Sequence, residues 1–165
     1  MDILFENRFM RTKEILREFY QYAYFKNPGI LAGDIALLAL LAVSLILWGT
    51  HLPLAVVIVV PVVAAAQFLT YTRAVNAVMK RDAELTNGGG LEVVVTVTPE
   101  KLVNTDSTGA ALELPYDKVK KVVQTKRLIL LQSEAKFWYL LPKDTFTRGT
   151  PEEFLAFLKT KGIGK

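Results

Sequence analysis

Residues 29–73, GILAGDIALLALLAVSLILWGTHLPLAVVIVVPVVAAAQFLTYTR, decide the fold. They contain one acid, Asp34, and no other charged side chain before Arg73. As helices, the two apolar runs of about 20 residues would each reach about 30 Å, the thickness of a bilayer's hydrocarbon core. Both runs are apolar on every side, and a chain of 165 residues is too short to surround them with protein. We therefore predict a transmembrane helical hairpin with spans at 29–49 and 52–72; a buried hairpin in a soluble domain is the alternative.

Basic residues on both sides of the hairpin predict its orientation. Turn-forming residues join the two runs at 49–53, and this connection carries no Lys or Arg. The flanking cations are Arg8, Arg11, Lys13, Arg17, Lys26, Arg73, Lys80 and Arg81. Because positive residues stay on the cytoplasmic side, we expect both termini in the cytoplasm and His51 outside. The first run starts too far along the chain, and is too long, for a cleaved signal peptide.

Two polar residues lie inside the predicted membrane segments. Asp34 and Gln67 are expected at a similar depth, about 7 Å from the cytoplasmic boundary, within hydrogen-bonding reach of each other. Ionisable residues in membranes often mark proton or ion pathways. A shallow acid that snorkels to the interface or pairs with Lys26 or Arg73 is the simpler interpretation, and we favour it. Small residues on both runs also fit close helix packing or a homo-oligomer.

The segments that flank the hairpin are predicted to be helical. Within the cytoplasmic segment 1–28, residues 12–25 have their apolar side chains on one helical face. This amphipathic helix is expected to lie along the membrane surface, with docking on the C-terminal domain as the alternative. Residues 74–90 are expected to form a helical linker that ends in a stop and flexible joint at Asn87 and glycines 88–90. These glycines lack the Lys-Ser/Thr of a phosphate-binding loop, which disfavours a nucleotide site.

From residue 91 the apolar pattern changes to a period of two, which is typical of β-strands. Short apolar segments separated by turn residues predict about six antiparallel strands over residues 91–141. Thr150 with Glu153 three residues later predicts the start of a C-terminal helix, and Gly162 predicts its end. The sequence thus predicts an α+β membrane protein, a transmembrane hairpin followed by a small antiparallel domain, residues 91–165, that the C-terminal helix caps.

The order of these parts resembles the bacterial YcxB-like family. The motifs that carry the likeness are Tyr116-Asp117 with Val119 and Val122, the strand 128–131, Pro142-Lys143 with Phe146, and the helix start 151–155. The resemblance implies a charged N-terminal segment, a two-helix membrane hairpin and a compact pleckstrin-homology-like (PH-like) domain in the cytoplasm. It implies a multi-pass protein of the bacterial cytoplasmic membrane and offers no catalytic or ligand residues to transfer.

No arrangement of residues typical of an enzyme or a metal site occurs in the sequence. Cysteine is absent, His51 is the sole histidine, and no GxSxG, HExxH or GxGxxG motif is present. The carboxylates are scattered, whereas metal ligands cluster. We therefore expect no catalytic residues, no cofactor and no metal.

A basic patch is the densest charge feature of the C-terminal domain. Its members are Lys118, Lys120, Lys121, Lys126 and Arg127. Such a patch, if it faced the membrane, could bind anionic lipid headgroups, or it could contact a partner. The alternative, which we favour, is the solvated face of a strand pair that guards an edge against aggregation. Nucleic acid is disfavoured, because the alternating aromatic residues 137–139 fit a core strand.

These observations favour one function and leave a second open. We expect a non-enzymatic integral membrane protein whose cytoplasmic domain binds or regulates a partner protein at the bilayer surface. The alternative is an accessory or pore-forming transport subunit, in which oligomerised hairpins act through Asp34 and Gln67. The expected partners are the lipid bilayer and either another protein or further copies of the chain.

Overall fold

The computed structural model describes residues 2–26, 28–48 and 53–164. The chain divides into two compact units. One unit, here the β domain, combines the chain up to Phe19 with the chain from Met79 onward. The other, here the helical unit, comprises Tyr20–Val78. The β domain is therefore built from both ends of the sequence.

Two long helices follow the apolar runs of the sequence. After α1 (Lys13–Gln21) and a π-helical turn at Tyr22–Lys26, α2 extends over Pro28–Trp48 and α3 over Pro53–Leu85. The helical character predicted for both runs is confirmed. The predicted turn between them, which contains His51, lies outside the described residues.

The membrane crossing itself stays a prediction. Among the residues described with their side chains, the helical segment Ile58–Leu85 has the length and mean hydropathy of a membrane span. A second apolar segment, Ile30–Leu40, is shorter. Length and composition place one candidate span in the described part of the chain, whereas the predicted hairpin needs two.

Among its described residues, the β domain has eight strands in two antiparallel sheets. They are β1 Phe5–Met10, β2 Glu92–Val97, β3 Lys101–Asp106, β4 Ala111–Pro115, β5 Val119–Gln124, β6 Leu128–Ser133, β7 Trp138–Pro142 and β8 Phe146–Arg148. The larger sheet has the order β4-β3-β2-β1-β8, and the smaller has the order β5-β6-β7. The six predicted strands correspond to β2–β7, so the α+β class with antiparallel sheets is confirmed.

A C-terminal helix, α4 (Pro151–Thr160), closes the core between the sheets. Its start has the predicted capping box: the Glu153 amide donates to Thr150 Oγ1 at 3.2 Å, and the Thr150 amide donates to Glu153 Oε2 at 2.9 Å. Phe154 of α4 is fully buried, and its ring lies 5.6 Å from that of Phe5 in β1. The local signals in the sequence therefore place this helix correctly.

The first strand was not predicted, and it changes the boundary of the domain. Residues 1–28 are predicted to lie outside the C-terminal domain, whereas β1 pairs with β2 along its whole length and with β8 on its other side. Asn7 in β1 is fully buried, and its Nδ2 donates to the Pro142 carbonyl at 2.8 Å. Asn7 lies between two charged residues, so this segment lacks the alternation of apolar and polar residues that marks a strand. Burial of Asn7 is possible because the folded sheet supplies its hydrogen-bond partner.

Residues 13–19 of the amphipathic helix α1 belong to the β domain and pack against its strands. Leu16 is buried, and the Phe19 ring lies 5.8 Å from that of Trp138 in β7. Glu18 Oε1 accepts a hydrogen bond of 2.7 Å from the Arg127 amide. These contacts support the alternative of docking for residues 13–19, and the expected position along the membrane surface stays a prediction. An amphipathic face fits a protein surface as well as a lipid surface, so the pattern alone does not separate them.

The last turn of α3 is also fixed to the β domain. Arg11, which follows β1, places Nη1 at 3.3 Å from both carboxylate oxygens of Asp82. Asp82 is 2% exposed, and its ion-pair partners are Arg11 and, at 3.7 Å, Arg81. The predicted helix end is confirmed, because Asn87 has a φ of 52° and the Gly88 amide donates to the Ala83 carbonyl at 2.7 Å.

Candidate functional site

One edge of the smaller sheet is open. β5 pairs with β6 on one side only. At the hairpin end, the Thr125 amide donates to the Leu128 carbonyl at 2.9 Å. Since backbone groups in an antiparallel ladder alternate between the two sides, Val123 also faces β6, whereas Val122 and Gln124 face outward. Within the described part of the chain, the outward N–H and C=O groups of Val122 and Gln124 have no hydrogen-bond partner.

An apolar groove lies beside this edge, between β5 and the end of α4. We call it the β5 edge groove; its lining residues are Val122, Gln124, Leu155, Leu158, Lys159, Ile163 and Gly164. Its volume is about 140 Å³. Leu158 and Ile163 are buried and Leu155 is half-buried, so the floor of the groove is part of the domain's core. The groove therefore joins free backbone groups to an apolar surface.

The five cations of the predicted basic patch lie at the two ends of β5. Lys118, Lys120 and Lys121 lie at its start, and Lys126 and Arg127 lie in the turn that follows it. A β-bulge between Val119 and Lys121 makes Lys120 the extra residue of the strand, and its side chain is exposed. The patch is therefore two smaller groups instead of one continuous surface.

Two of these cations are neutralised within the β domain. Arg127 Nη1 lies 3.0 Å from Glu14 Oε2 of α1, and Lys118 Nζ lies 3.4 Å from Glu134 Oε2. Lys120 and Lys126 are exposed and form no ion pair with any residue that the structure describes. The positive charge available for a ligand is therefore smaller than the sequence suggests.

At the other side of the groove, Lys159 of α4 is an exposed cation. It makes no ion pair within the described ranges. The neighbouring Lys161 differs, because its Nζ lies 5.5 Å from the centre of the Tyr116 ring and 5.4 Å from that of Phe157. Burial raises the pKa of Tyr116 to about 12, and the charge of Glu100 adds to the rise. Tyr116 is thus neutral at physiological pH, and its hydroxyl donates to the Thr98 carbonyl at 2.6 Å.

The other sheet edges are shorter or partly covered. On β4, Pro115 has no amide hydrogen, and the Tyr139 hydroxyl donates to the Glu113 carbonyl at 3.3 Å. On β7, Asn7 occupies the Pro142 carbonyl, and α1 covers Trp138. β8 is only three residues long. β5, with six residues, is therefore the longest edge open to an added strand.

A second pocket lies within the helical unit. Gln67 Nε2 donates to Asp34 Oδ1 at 2.9 Å, so the hydrogen bond that the sequence suggests is present. The two side chains line a pocket of about 180 Å³, whose other walls are Leu37, Leu38, Val60, Val63 and Ala64. An acid and an amide in apolar surroundings fix each other's orientation, as buried polar groups do when they are paired.

Several features of the site escape prediction from the sequence. The cations are visible as a local cluster, whereas Leu155 and Leu158 are predicted only as the core-facing side of α4. Their place beside β5 depends on contacts between segments far apart in the chain. In the described residues, no three His, Asp or Glu side chains are grouped as metal ligands.

Residues 97–158 match the model of a protein family that is described as YcxB-like protein. The resemblance to the YcxB-like family is confirmed over this range. The matched range begins at the end of β2 and ends within α4, so it includes β5 and most of the β5 edge groove. No curated protein and no solved structure matches the chain.

Proposed function

We propose that the chain is a non-enzymatic, multi-pass protein of the bacterial cytoplasmic membrane with both termini in the cytoplasm. In this proposal, α2 and α3 cross the bilayer as a hairpin. The β domain is PH-like and binds or regulates a partner protein at the membrane surface. The observation that carries the proposal is the β5 edge groove, because an open strand edge beside an apolar surface is a common site of peptide recognition.

Apolar side chains on the outside of the helical unit support the membrane part of the proposal. Large exposed apolar residues occur along both helices: Leu31, Ile35, Leu38, Leu40, Val43, Ile46, Ile58, Val62, Phe68 and Leu69. Ile46, for example, is 82% exposed. Soluble proteins rarely leave such a continuous apolar surface uncovered, whereas lipid provides it with a suitable solvent.

The topology of the β domain supports the PH-like part. β1–β4 pair in sequence order in one sheet and β5–β7 in the other, and α4 follows the last strand and fills the core. These features agree with the small antiparallel domain and C-terminal helix that the family resemblance implies.

Crosslinking in intact membranes tests partner binding. With a lysine-directed crosslinker, we expect the full chain to capture a specific protein other than itself. A control chain that ends after Val78 keeps β1, the amphipathic segment and the hairpin but lacks β2–β8 and α4, and it is expected to lose this product. Mass spectrometry identifies the captured protein. The proposal is contradicted if both chains capture the same proteins, or if the full chain captures only further copies of itself.

The alternative function, an accessory or pore-forming transport subunit, is favoured by the Asp34–Gln67 pair and its pocket. Replacing Asp34 with Leu separates the two functions. Under the main proposal, Asp34→Leu leaves crosslinking of the partner unchanged, because the β domain is unaltered. Insertion is also expected to be unchanged or improved, since an acid in a membrane span costs up to about 3 kcal/mol.

The same variant gives a different result if the hairpins carry the function. Ion or proton flux through proteoliposomes would then be measurable for the natural chain and lost in Asp34→Leu and in Gln67→Leu. Insertion is monitored by maleimide labelling of His51→Cys, which is specific because the chain has no other cysteine. Flux that depends on Asp34, with normal insertion, would establish the alternative.

A further inference from the structure

We propose that the β5 edge groove binds an extended, acidic segment of the partner protein, which adds to the smaller sheet as a fourth strand beside β5. This inference rests on the proposed function, because it names the chemistry of the partner. Three independent features support it: the backbone groups of the open edge, the apolar floor of the groove, and two exposed lysines, Lys159 in the groove and Lys120 at the end of the edge.

The backbone groups define the conformation of the bound segment. Val122 and Gln124 each present one N–H donor and one C=O acceptor on the outer side of β5. They are two residues apart, which is about 7 Å in a strand and matches the repeat of an added strand. A segment that pairs with both residues gains four main-chain hydrogen bonds. A helix cannot present donors and acceptors at this spacing, because its own hydrogen bonds use its backbone groups.

The apolar floor selects the side chains of the bound segment. Alternate residues of a strand point to the same face, so one residue in two would point towards Leu155, Leu158 and Ile163. The groove volume of about 140 Å³ gives room for a branched aliphatic side chain, which would displace water from an apolar surface. The segment is therefore expected to alternate aliphatic and polar residues.

The exposed lysines set the charge of the bound segment. Lys120 lies at one end of the open edge, and Lys159 lies on the α4 side of the groove. Neither has an ion-pair partner among the residues described, so acidic residues of the segment would supply one. Complementary charge raises the association rate and selects the partner more than it raises affinity.

An anionic lipid surface is the other ligand that these lysines could bind, but it would contact fewer groups of this site. Anionic headgroups would contact Lys120 and Lys159 and leave the outward N–H and C=O groups of Val122 and Gln124 without a partner. Lysines on an open edge also discourage pairing between copies of the chain. Both roles are compatible with selective binding, since the charges that repel a basic strand attract an acidic one.

Peptide binding to the full chain tests the inference. The chain is placed in phosphatidylcholine nanodiscs, and binding of fluorescent Glu-Val-Glu-Val-Glu-Val-Glu is compared with that of the Lys-containing counterpart by anisotropy. We expect the acidic peptide to bind at least 10-fold more tightly than the basic peptide. We also expect it to slow hydrogen exchange at the Val122 and Gln124 amides.

Variants of the groove separate strand addition from simple attraction of charge. Gln124→Pro removes one outward N–H and is expected to weaken binding at least 10-fold. Its matched control is Ala111→Pro, which removes an outward N–H from β4 and should change binding by less than twofold. The double variant Lys120→Glu/Lys159→Glu changes exposed residues only, so the fold is retained, and it should reverse the preference between the peptides.

Four results would overturn the inference. They are no binding of the acidic peptide at millimolar concentration, equal binding of both peptides, undiminished binding by both groove variants, or salt-sensitive binding of phosphatidylglycerol vesicles that requires Lys120 and Lys159 but not the Gln124 amide. The last result would assign the lysines to lipid. The assay does not depend on crosslinking in membranes, so a captured partner together with failed peptide binding would refute this inference and leave the proposed function standing.

Discussion

The fragment of residues 91–165, expressed alone, is expected to remain unfolded. It contains the seven strands β2–β8 and α4 but lacks β1, which lies between β2 and β8 in the larger sheet. Without β1, β8 has no neighbour, and the apolar side chains of β2 lose the cover of Phe9. We expect a poorly dispersed NMR spectrum and no cooperative unfolding transition.

Restoring the first strand is expected to restore the fold. A fusion that joins residues 2–19 to residues 79–164 through a flexible linker contains the whole β domain and should give a dispersed spectrum and a cooperative transition. If the fragment 91–165 folds as well as this fusion does, β1 is dispensable, and our account of the domain is wrong.

Single substitutions in β1 provide a matched comparison in the fusion. Asn7→Ala removes the 2.8 Å amide donor of the Pro142 carbonyl, which keeps only the Thr145 hydroxyl at 3.2 Å, and is expected to cost about 1–3 kcal/mol of unfolding free energy. The neighbouring Arg8, whose side chain is 53% exposed, is the control, and Arg8→Ala should cost less than about 0.5 kcal/mol. Equal effects of the two substitutions would contradict the burial of Asn7.

Local signals in the sequence predict most of the β domain. The capping box at Thr150 and Glu153, the hairpin turns and the period-two segments all act within a few residues, and each one is confirmed. β1 differs, because the partner of its buried Asn7 is a carbonyl group 135 residues away. No local pattern records that partner, so the strand becomes evident only when both ends of the chain are folded together.

The candidate site shows the same division between local and distant information. The cations around β5 form a cluster in the sequence, and Asp34 and Gln67 are conspicuous because their surroundings are apolar. The neutralisation of Arg127 by Glu14 and the position of α4 beside β5 depend on contacts between distant segments. A charged cluster therefore predicts where a binding site can lie, whereas packing decides which charges are available and what surface lies beside them.

The ion pair between Arg11 and Asp82 is the basis of the second large effect. Asp82 is 2% exposed, and both of its carboxylate oxygens lie 3.3 Å from Arg11 Nη1. In Arg11→Ala the nearest remaining cation is Arg81, at 3.7 Å and on the exposed side of the helix. Removing Arg11 leaves the buried carboxylate with only this exposed arginine as a partner, so we expect a cost of about 3 kcal/mol in unfolding free energy.

The comparison of single and double variants distinguishes this effect from loss of packing. Arg11→Met/Asp82→Leu removes both charges and is expected to cost less than Arg11→Ala alone, because no unpaired charge remains. Lys80→Ala is the control, since its partner Glu84 and Lys80 itself are exposed, and it should cost less than about 0.5 kcal/mol. Denaturant unfolding of the full chain in detergent, followed by Trp138 fluorescence in a Trp48→Phe background, measures each value. If the double variant is as unstable as Arg11→Ala, the loss comes from side-chain packing, and the pair does not hold the end of α3 to the sheet by charge.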